Sequence, residues 1–317
     1  MEPAPFRTLD GDPEPLARAF WMRAEDGVRL RAAHWPAAVG ASHGTVLLFP
    51  GRTEYIEKYD RLARELGAAG LEVLALDWRG QGLSDRLIAD YRPGHVGSFS
   101  DYQRDVVELV VAAGELDLPR PWHLLAHSMG GAVGFAALQG GLPVTSAAFS
   151  APMWGLHLRR PLRLLAVAIT AAARRLRWDE RCALGSGGYE PLVLKTPFER
   201  NLLTSDGPNW GRLVTEAAAW PELSIGGVTN RWLGEALAEC VRLSRLPSPG
   251  LPALIGLGSD EAVVSSDAIR ARAAAWPGAR LMILPGGRHE PLMERDSIRT
   301  PFLRAILDHF DAAQRRA

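Results

Sequence analysis

Three kinds of side chain, far apart in the sequence, could together turn a hydroxyl into a nucleophile. The first is Ser128, in the stretch Ala126-His127-Ser128-Met129-Gly130-Gly131. It follows the apolar run Trp122 to Ala126 and leads into Ala132 to Leu138. A buried strand that feeds a tight small-residue turn and then a helix pushes a serine out at the top of a parallel sheet, open for attack. A serine hydroxyl attacks poorly until a base takes its proton, so a histidine and an acid to orient it are required. His289 stands in Pro285-Gly286-Gly287-Arg288-His289-Glu290, a glycine-containing loop after the apolar run ending at Leu284, and no other histidine is so placed. The acid has two claimants in Ser259-Asp260-Glu261-Ala262-Val263-Val264, of which only one can face the imidazole. Asp260 has the commoner side-chain length, whereas its spacing from Gly258 and from the β-branched pair Val263-Val264 favours Glu261. Together these groups would carry acyl transfer through a serine-bound intermediate.

The elements that must position them are legible in order. Ala19 to Arg23 and Val28 to Trp35, with Glu25-Asp26-Gly27 between them, read as a hairpin. Gly44 to Pro50 and Leu71 to Leu76 read as strands buried on both faces, joined by a helix presenting Tyr59, Leu62, Ala63 and Leu66. Ser98 to Ala113 reads as a helix with Ser100 as N-cap. The Ser128 strand and helix follow, then a strand within Val144 to Met153. Alternation resumes with a strand over 252–258, a helix over 266–275, a strand over 280–284 and a helix over 300–315. This pattern predicts an α/β fold, a mostly parallel central sheet with helices on both faces. Between them, 154–232 has no buried strand pattern and holds five of the ten tryptophans. It is expected to be an inserted helical cap, with 1–153 and 233–317 forming the core.

Composition narrows the function. A chain of 317 residues, 47% hydrophobic and 23% charged, can bury a sizeable core. Lysine plus arginine equals aspartate plus glutamate at 36 each, and no basic stripe is interleaved with aromatics, which speaks against a nucleic-acid partner. Cys182 and Cys240 are too few for a disulfide framework and are expected to be free thiols in a reducing compartment. The start of the chain lacks a basic segment followed by an apolar one, so a cytoplasmic location is expected. The longest apolar run, Leu162 to Ala173, is interrupted by Arg163 and is shorter than the roughly 20 residues that span a bilayer. No metal cluster is evident, and Gly185 to Gly188 lacks the lysine and hydroxyl of a phosphate loop, so no cofactor is expected.

The Ser128 elbow, the turn Asp77-Trp78-Arg79-Gly80-Gln81-Gly82-Leu83-Ser84, the segment Phe49-Pro50-Gly51-Arg52-Thr53-Glu54-Tyr55 and the loop Pro285 to His289 together resemble the α/β-hydrolase superfamily. Within it they resemble the lysophospholipase and monoacylglycerol lipase group of serine hydrolases. The resemblance implies the serine, acid, histidine order found here, and an oxyanion hole formed by the backbone N–H groups of Arg52 and Met129. It also implies a carboxylic-ester hydrolase acting on a monoacyl lipid. A small-ester esterase, thioesterase or acyltransferase would use the same groups, and a non-catalytic binding protein would ordinarily lack one of them. The sequence departs from the group at Ala126, where glycine is commoner, and at Pro50, where histidine is common. The Asp77 to Ser84 turn is expected to be structural, with Gly80 and Gly82 allowing tight angles and Arg79 pairing locally. In the cap, Leu158 to Trp178 is apolar with arginines at both ends. It reads either as an interfacial segment meeting anionic lipid or as a cap helix packed on the core with solvated arginines.

Overall fold

The computed structural model describes residues 1–38, 40 and 42–315. Its centre is a nine-stranded sheet in the order β1-β2-β3-β5-β4-β6-β7-β8-β9. The short edge strand β1 (Glu2–Pro3), β2 (Arg18–Arg23) and β3 (Arg29–Trp35) are antiparallel, and β3 runs antiparallel to β5 (Glu72–Asp77). From β5 onward β4 (Thr45–Phe49), β6 (Trp122–His127), β7 (Ser146–Ser150), β8 (Ala253–Gly258) and β9 (Ala279–Leu284) are parallel. The predicted hairpin and core strands are thus present, and only the two-residue β1 was not foreseen.

The strands alternate their side chains between two cores. Leu47, Phe49, Leu124 and Ala126 face one packed by α2 (Tyr102–Glu115), α3 (Met129–Gln139), α7 (Asn230–Arg245) and α8 (Ser266–Ala274). Val46, Leu48 and Leu125 face another packed by α1 (Asp60–Ala68) and α9 (Asp296–Gln314). Helices therefore cover both faces, as parallel strands require. The chain leaves β4 for β5 on one side and returns to β6 on the other. Loops after β4 and β6 therefore diverge, opening a crevice at the carboxyl ends of these strands.

Three local expectations are corrected. Ser100 does not cap α2. A short helical turn over Phe99–Asp101 precedes the helix, and the backbone N–H of Ser98 donates to Asp101 Oδ2 at 2.9 Å, so the chain is capped earlier. α9 begins at Asp296 and carries Pro301 in its interior. Arg79 does not pair locally: it donates to Asp105 and to Asp26, tying the turn to α2 and to the β2–β3 hairpin.

Between β7 and β8 lie α4 (Arg160–Arg175), α5 (Leu192–Lys195), α6 (Gly207–Ala219) and α7. α7 crosses residue 232 without a break, so the segment boundary drawn there falls inside a helix whose buried face belongs to the core. Cys182 and Cys240 are both free thiols. No helix among the described residues is long and apolar enough to cross a membrane.

Candidate active site

Ser128 joins β6 to α3 with φ 49° and ψ −115°. A non-glycine residue there is strained and persists only where its surroundings over-determine it. The surroundings do so: Ser128 N donates to Ser150 O at 3.1 Å, while Gly131 N and Met153 N donate to Ser128 O at 2.9 and 2.8 Å. The small residues after it are obligatory. A Cβ on Gly130 would overlap the Phe49 carbonyl oxygen, and one on Gly131 would lie 2.5 Å from Pro152 Cβ. Ala126 is fully buried, and alanine is accommodated there where glycine is commoner.

His289 Nε2 lies 2.8 Å from Ser128 Oγ, and its Nδ1 lies 2.8 Å from Glu261 Oε2. All three residues are buried. The other Glu261 oxygen accepts from Val263 N at 2.6 Å and Val264 N at 3.0 Å, so the β-branched pair fixes the carboxylate from behind. Burial pushes Glu261 up, but the His289 hydrogen bond and charge, with the two N–H groups, outweigh it and hold the carboxyl below its ordinary value. Asp260 points elsewhere. It is exposed, and its Oδ1 accepts from Ser259 Oγ at 2.7 Å. Such an arrangement can draw a proton from the serine hydroxyl to an imidazole whose positive charge faces a carboxylate.

The two residues expected to supply oxyanion donors lie at the ends of β6 and β4. Met129 is the first residue of α3, where N–H groups lack partners within the helix and the dipole favours negative charge. Arg52 lies in the loop after β4, in which Gly51 N donates to Glu54, Thr53 N to Gln81 Oε1 at 2.6 Å, and Ile56 N to Asp77 Oδ1 at 2.9 Å. Trp78 Nε1 donates to Pro50 O at 2.8 Å. Neither Arg52 N nor Met129 N is taken by a described residue. The Asp77 to Ser84 turn thus shapes the loop that carries Arg52, and Gly82, at φ 51°, leaves room for the Asp77 carboxylate.

Sequence reasoning missed the polar cluster beneath these groups. Lys58 Nζ donates to Glu54 Oε1 at 2.5 Å and to both Glu290 oxygens at 2.8 Å, and Tyr59 OH donates to Glu54. His127 Nε2 lies 3.6 Å from each carboxylate, its ring 5.0 Å from that of His289. Burial works against every charge here. It would raise Glu290, yet Lys58 and His127 hold it well below the ordinary range, and Glu290 and Glu54 raise His127 against burial. The expectation of no clustered metal ligands is corrected in part: Glu54, His127 and Glu290 bring their ligand atoms within 4.8 Å of one another. Lys58 occupies the position a cation would take, bonding both carboxylates.

Ser128 and His289 open into a cavity of about 360 Å³ lined by Leu192, Val193, Leu202, Leu203, Trp210 and Leu213 from the helices and loops between α4 and α7. The segment between α5 and α6 is laced to the histidine loop: His289 N donates to Leu202 O at 3.3 Å, Glu290 N to Leu203 O at 2.8 Å, and Arg288 Nη1 to Asn201 O and Thr204 O at 2.9 and 3.0 Å. The Leu158 to Trp178 stretch forms α4, which buries only Thr170 and Ala173. α4 packs along α7 through Thr170 and Ala173, as a cap helix resting on the core would, while Leu162, Leu164, Leu165 and Val167 are 53%, 63%, 55% and 48% exposed, so apolar side chains as well as arginines face solvent.

The model of the family described as serine aminopeptidase, S33, matches residues 40–296. The chain is 34% identical over 296 residues to lysophospholipase L2 of Escherichia coli (strain K12), spanning 90% of this chain and 83% of that protein. It is 29% identical to the probable lysophospholipase L2 of Haemophilus influenzae, over 92% of this chain and 90% of that one. In three dimensions it is similar to a soluble variant of monoglyceride lipase from Saccharomyces cerevisiae, with a TM-score of 0.75 at 18% identity, covering 98% of this chain and 100% of that one.

Proposed function

We propose that this chain, which belongs to the family described as serine aminopeptidase, S33, and is an ester hydrolase of the α/β-hydrolase fold, cleaves monoacyl lipids such as a lysophospholipid or a monoacylglycerol. The observation that carries the reading is the Ser128–His289–Glu261 hydrogen-bond chain at the base of an apolar, cap-walled cavity large enough for an acyl chain. Ser128 attacks the ester carbonyl while His289 takes its proton, and Glu261 stabilises the imidazolium. The oxyanion rests on the N–H groups of Arg52 and Met129. His289 then returns the proton to the leaving alcohol, and water, activated by the same imidazole, frees the fatty acid from the acyl-serine.

An aminopeptidase must hold the ammonium of its substrate, which calls for an unpaired carboxylate. The two carboxylates lining the cavity, Glu54 and Glu290, are already bonded to Lys58, which favours a lipid ester over a peptide. The cap supports a further part of the proposal. Arg159, Arg160, Arg163, Arg174 and Arg175 flank or interrupt the exposed apolar side of α4, a combination that suits peripheral contact with anionic lipid.

A fluorophosphonate probe should label Ser128, and the labelled enzyme should lose hydrolysis of lysophospholipids and monoacylglycerols while the untreated enzyme cleaves them. Labelling elsewhere, or cleavage of short esters alone, overturns the reading. Co-sedimentation with anionic but not zwitterionic vesicles at low salt tests the membrane contact, which fails if the two vesicle types behave alike.

A further inference from the structure

Three lysine and arginine side chains line the cavity, and they differ in how their charge is met. Lys58 is paired with Glu54 and Glu290, and Arg200 is exposed to solvent. Arg52 is half-buried, and no described carboxylate lies within ion-pair distance of it. Arg31, Arg79 and Arg299, which are buried, carry carboxylate partners, the ordinary way of offsetting a desolvated guanidinium. Arg52 instead donates through Nη1 to Gly226 O at 3.0 Å, with its guanidinium 5.6 Å from the centroid of the Trp232 ring. These two contacts hold the head in place. They leave Nε and Nη2 without an acceptor among the described residues, and neither atom is fully enclosed by protein. Nε and Nη2 form the side-on edge of the guanidinium, the edge that meets two oxygens of one phosphate.

We propose that the Arg52 side chain is an anion subsite that receives the phosphate of a lysophospholipid, so that the enzyme selects phosphate-bearing monoacyl lipids over neutral monoacylglycerols. The inference rests on the monoacyl-lipid reading above. The reach is appropriate. The path from Arg52 N, an oxyanion donor in that reading, to its guanidinium carbon crosses as many bonds as the path from the ester carbonyl carbon of a 1-acyl glycerophosphate to its phosphorus. A single residue would then grip the substrate at the reacting carbonyl and at the headgroup. Burial lowers the guanidinium to about 10, which leaves it cationic at neutral pH and marks a charge that lacks its counter-ion.

The test compares kcat/KM on a matched pair with one acyl chain, a lysophosphatidylglycerol and a 1-acylglycerol, both below their critical micelle concentrations so that surface charge does not enter. The wild type should favour the phosphate lipid. In Arg52→Met the ratio of the two kcat/KM values should fall by about tenfold to a hundredfold, the worth of a charge-assisted hydrogen bond, and Arg52→Lys should keep part of it. A ratio that Arg52→Met leaves in place, or a wild type without preference, overturns the subsite while monoacyl-lipid hydrolysis stands. Cleavage of neither lipid overturns the underlying reading as well. A measurement on the wild type alone guards against a variant that does not fold. Glycerol 3-phosphate should slow fluorophosphonate labelling of Ser128 more than glycerol does, and more than inorganic phosphate does. Equal protection by glycerol, or by inorganic phosphate, overturns recognition of a phosphate headgroup.

Discussion

Lys58→Met would remove the ammonium that bonds two buried carboxylates. In the folded chain Lys58 Nζ bonds Glu54 and both oxygens of Glu290, and Lys58, Glu54 and Glu290 are all nearly inaccessible to water. Taking away one partner of a buried ion pair ordinarily costs about 3–5 kcal/mol, because the remaining charges are left unpaired. For a chain of this length that corresponds to a Tm lower by roughly 5–8 °C. The dependence on pH carries the sharper test. Glu290 titrates well below its ordinary value of 4.5 in the folded chain, so its stabilising contribution is complete above that value and fades only as pH falls through the depressed one. His127 is raised above 6.5, so its contribution is complete below 6.5 and is lost as pH rises through the raised value. Without Lys58, Glu290 binds a proton more readily, and a protonated His127 takes over part of the lost charge. The deficit should therefore be largest near pH 8 and shrink by about 1 kcal/mol or more by pH 5.5. Urea unfolding of wild type and Lys58→Met at both values measures it. Glu54→Gln/Lys58→Met/Glu290→Gln, which removes the charges together, should lose less than Lys58→Met alone. A deficit under about 1 kcal/mol, or one equal at both pH values, refutes the account of a charge-compensated cluster.

Other outcomes are expected at the site. Glu261→Gln should lower kcat by about 10³–10⁴ while Asp260→Asn leaves it near wild type, as single-turnover and steady-state assays would measure; the reverse pattern would reassign the acid. Ser128→Ala should abolish both ester hydrolysis and fluorophosphonate labelling while keeping the wild-type circular dichroism spectrum. Gly130→Ala should destabilise the fold by about 1–3 kcal/mol or more, because its Cβ has nowhere to go but into the Phe49 carbonyl, and thermal unfolding would register it. Leu164→Asp with Leu165→Asp should weaken co-sedimentation with anionic vesicles while leaving hydrolysis of a soluble short ester unchanged, since both side chains are exposed and away from the cavity lining.

What was legible in the sequence is what local chemistry dictates. Ser128 is announced by its own neighbours, since an apolar strand, a tight turn and a run of glycines are needed wherever a strained serine sits between strand and helix. His289 follows from a glycine loop after a late strand. The acid was narrowed to adjacent residues, and geometry separates them: Glu261 turns inward onto the N–H groups of Val263 and Val264, while Asp260 turns out onto Ser259. The Lys58 cluster was not legible, because Lys58 and Glu290 are 232 residues apart and neither belongs to a local pattern. The outer side of α4 was ambiguous for a different reason. An apolar helix reads the same in sequence whether or not a core covers it, and only exposure shows that the outer side of α4 is left uncovered.

The loop between α5 and α6 and the histidine loop share a frame, which links the cavity wall to the chemistry. Leu202 and Leu203 line the cavity with their side chains and, through their carbonyls, accept from the N–H groups of His289 and Glu290. Arg288 reinforces the joint from the other side by donating to Asn201 O and Thr204 O, and Glu294 accepts from both Arg288 N and Ser205 N. A cap displacement that widens the cavity at Leu202 therefore strains the hydrogen bonds that hold His289 against Ser128. Glu294→Gln keeps the shape and removes the charge that both loops bond, so it should lower kcat through a loosened His289 while KM for a short soluble ester changes little. Steady-state kinetics with such an ester separates the two parameters, and a variant whose KM alone rises would mean that the joint holds the cavity wall and not the imidazole.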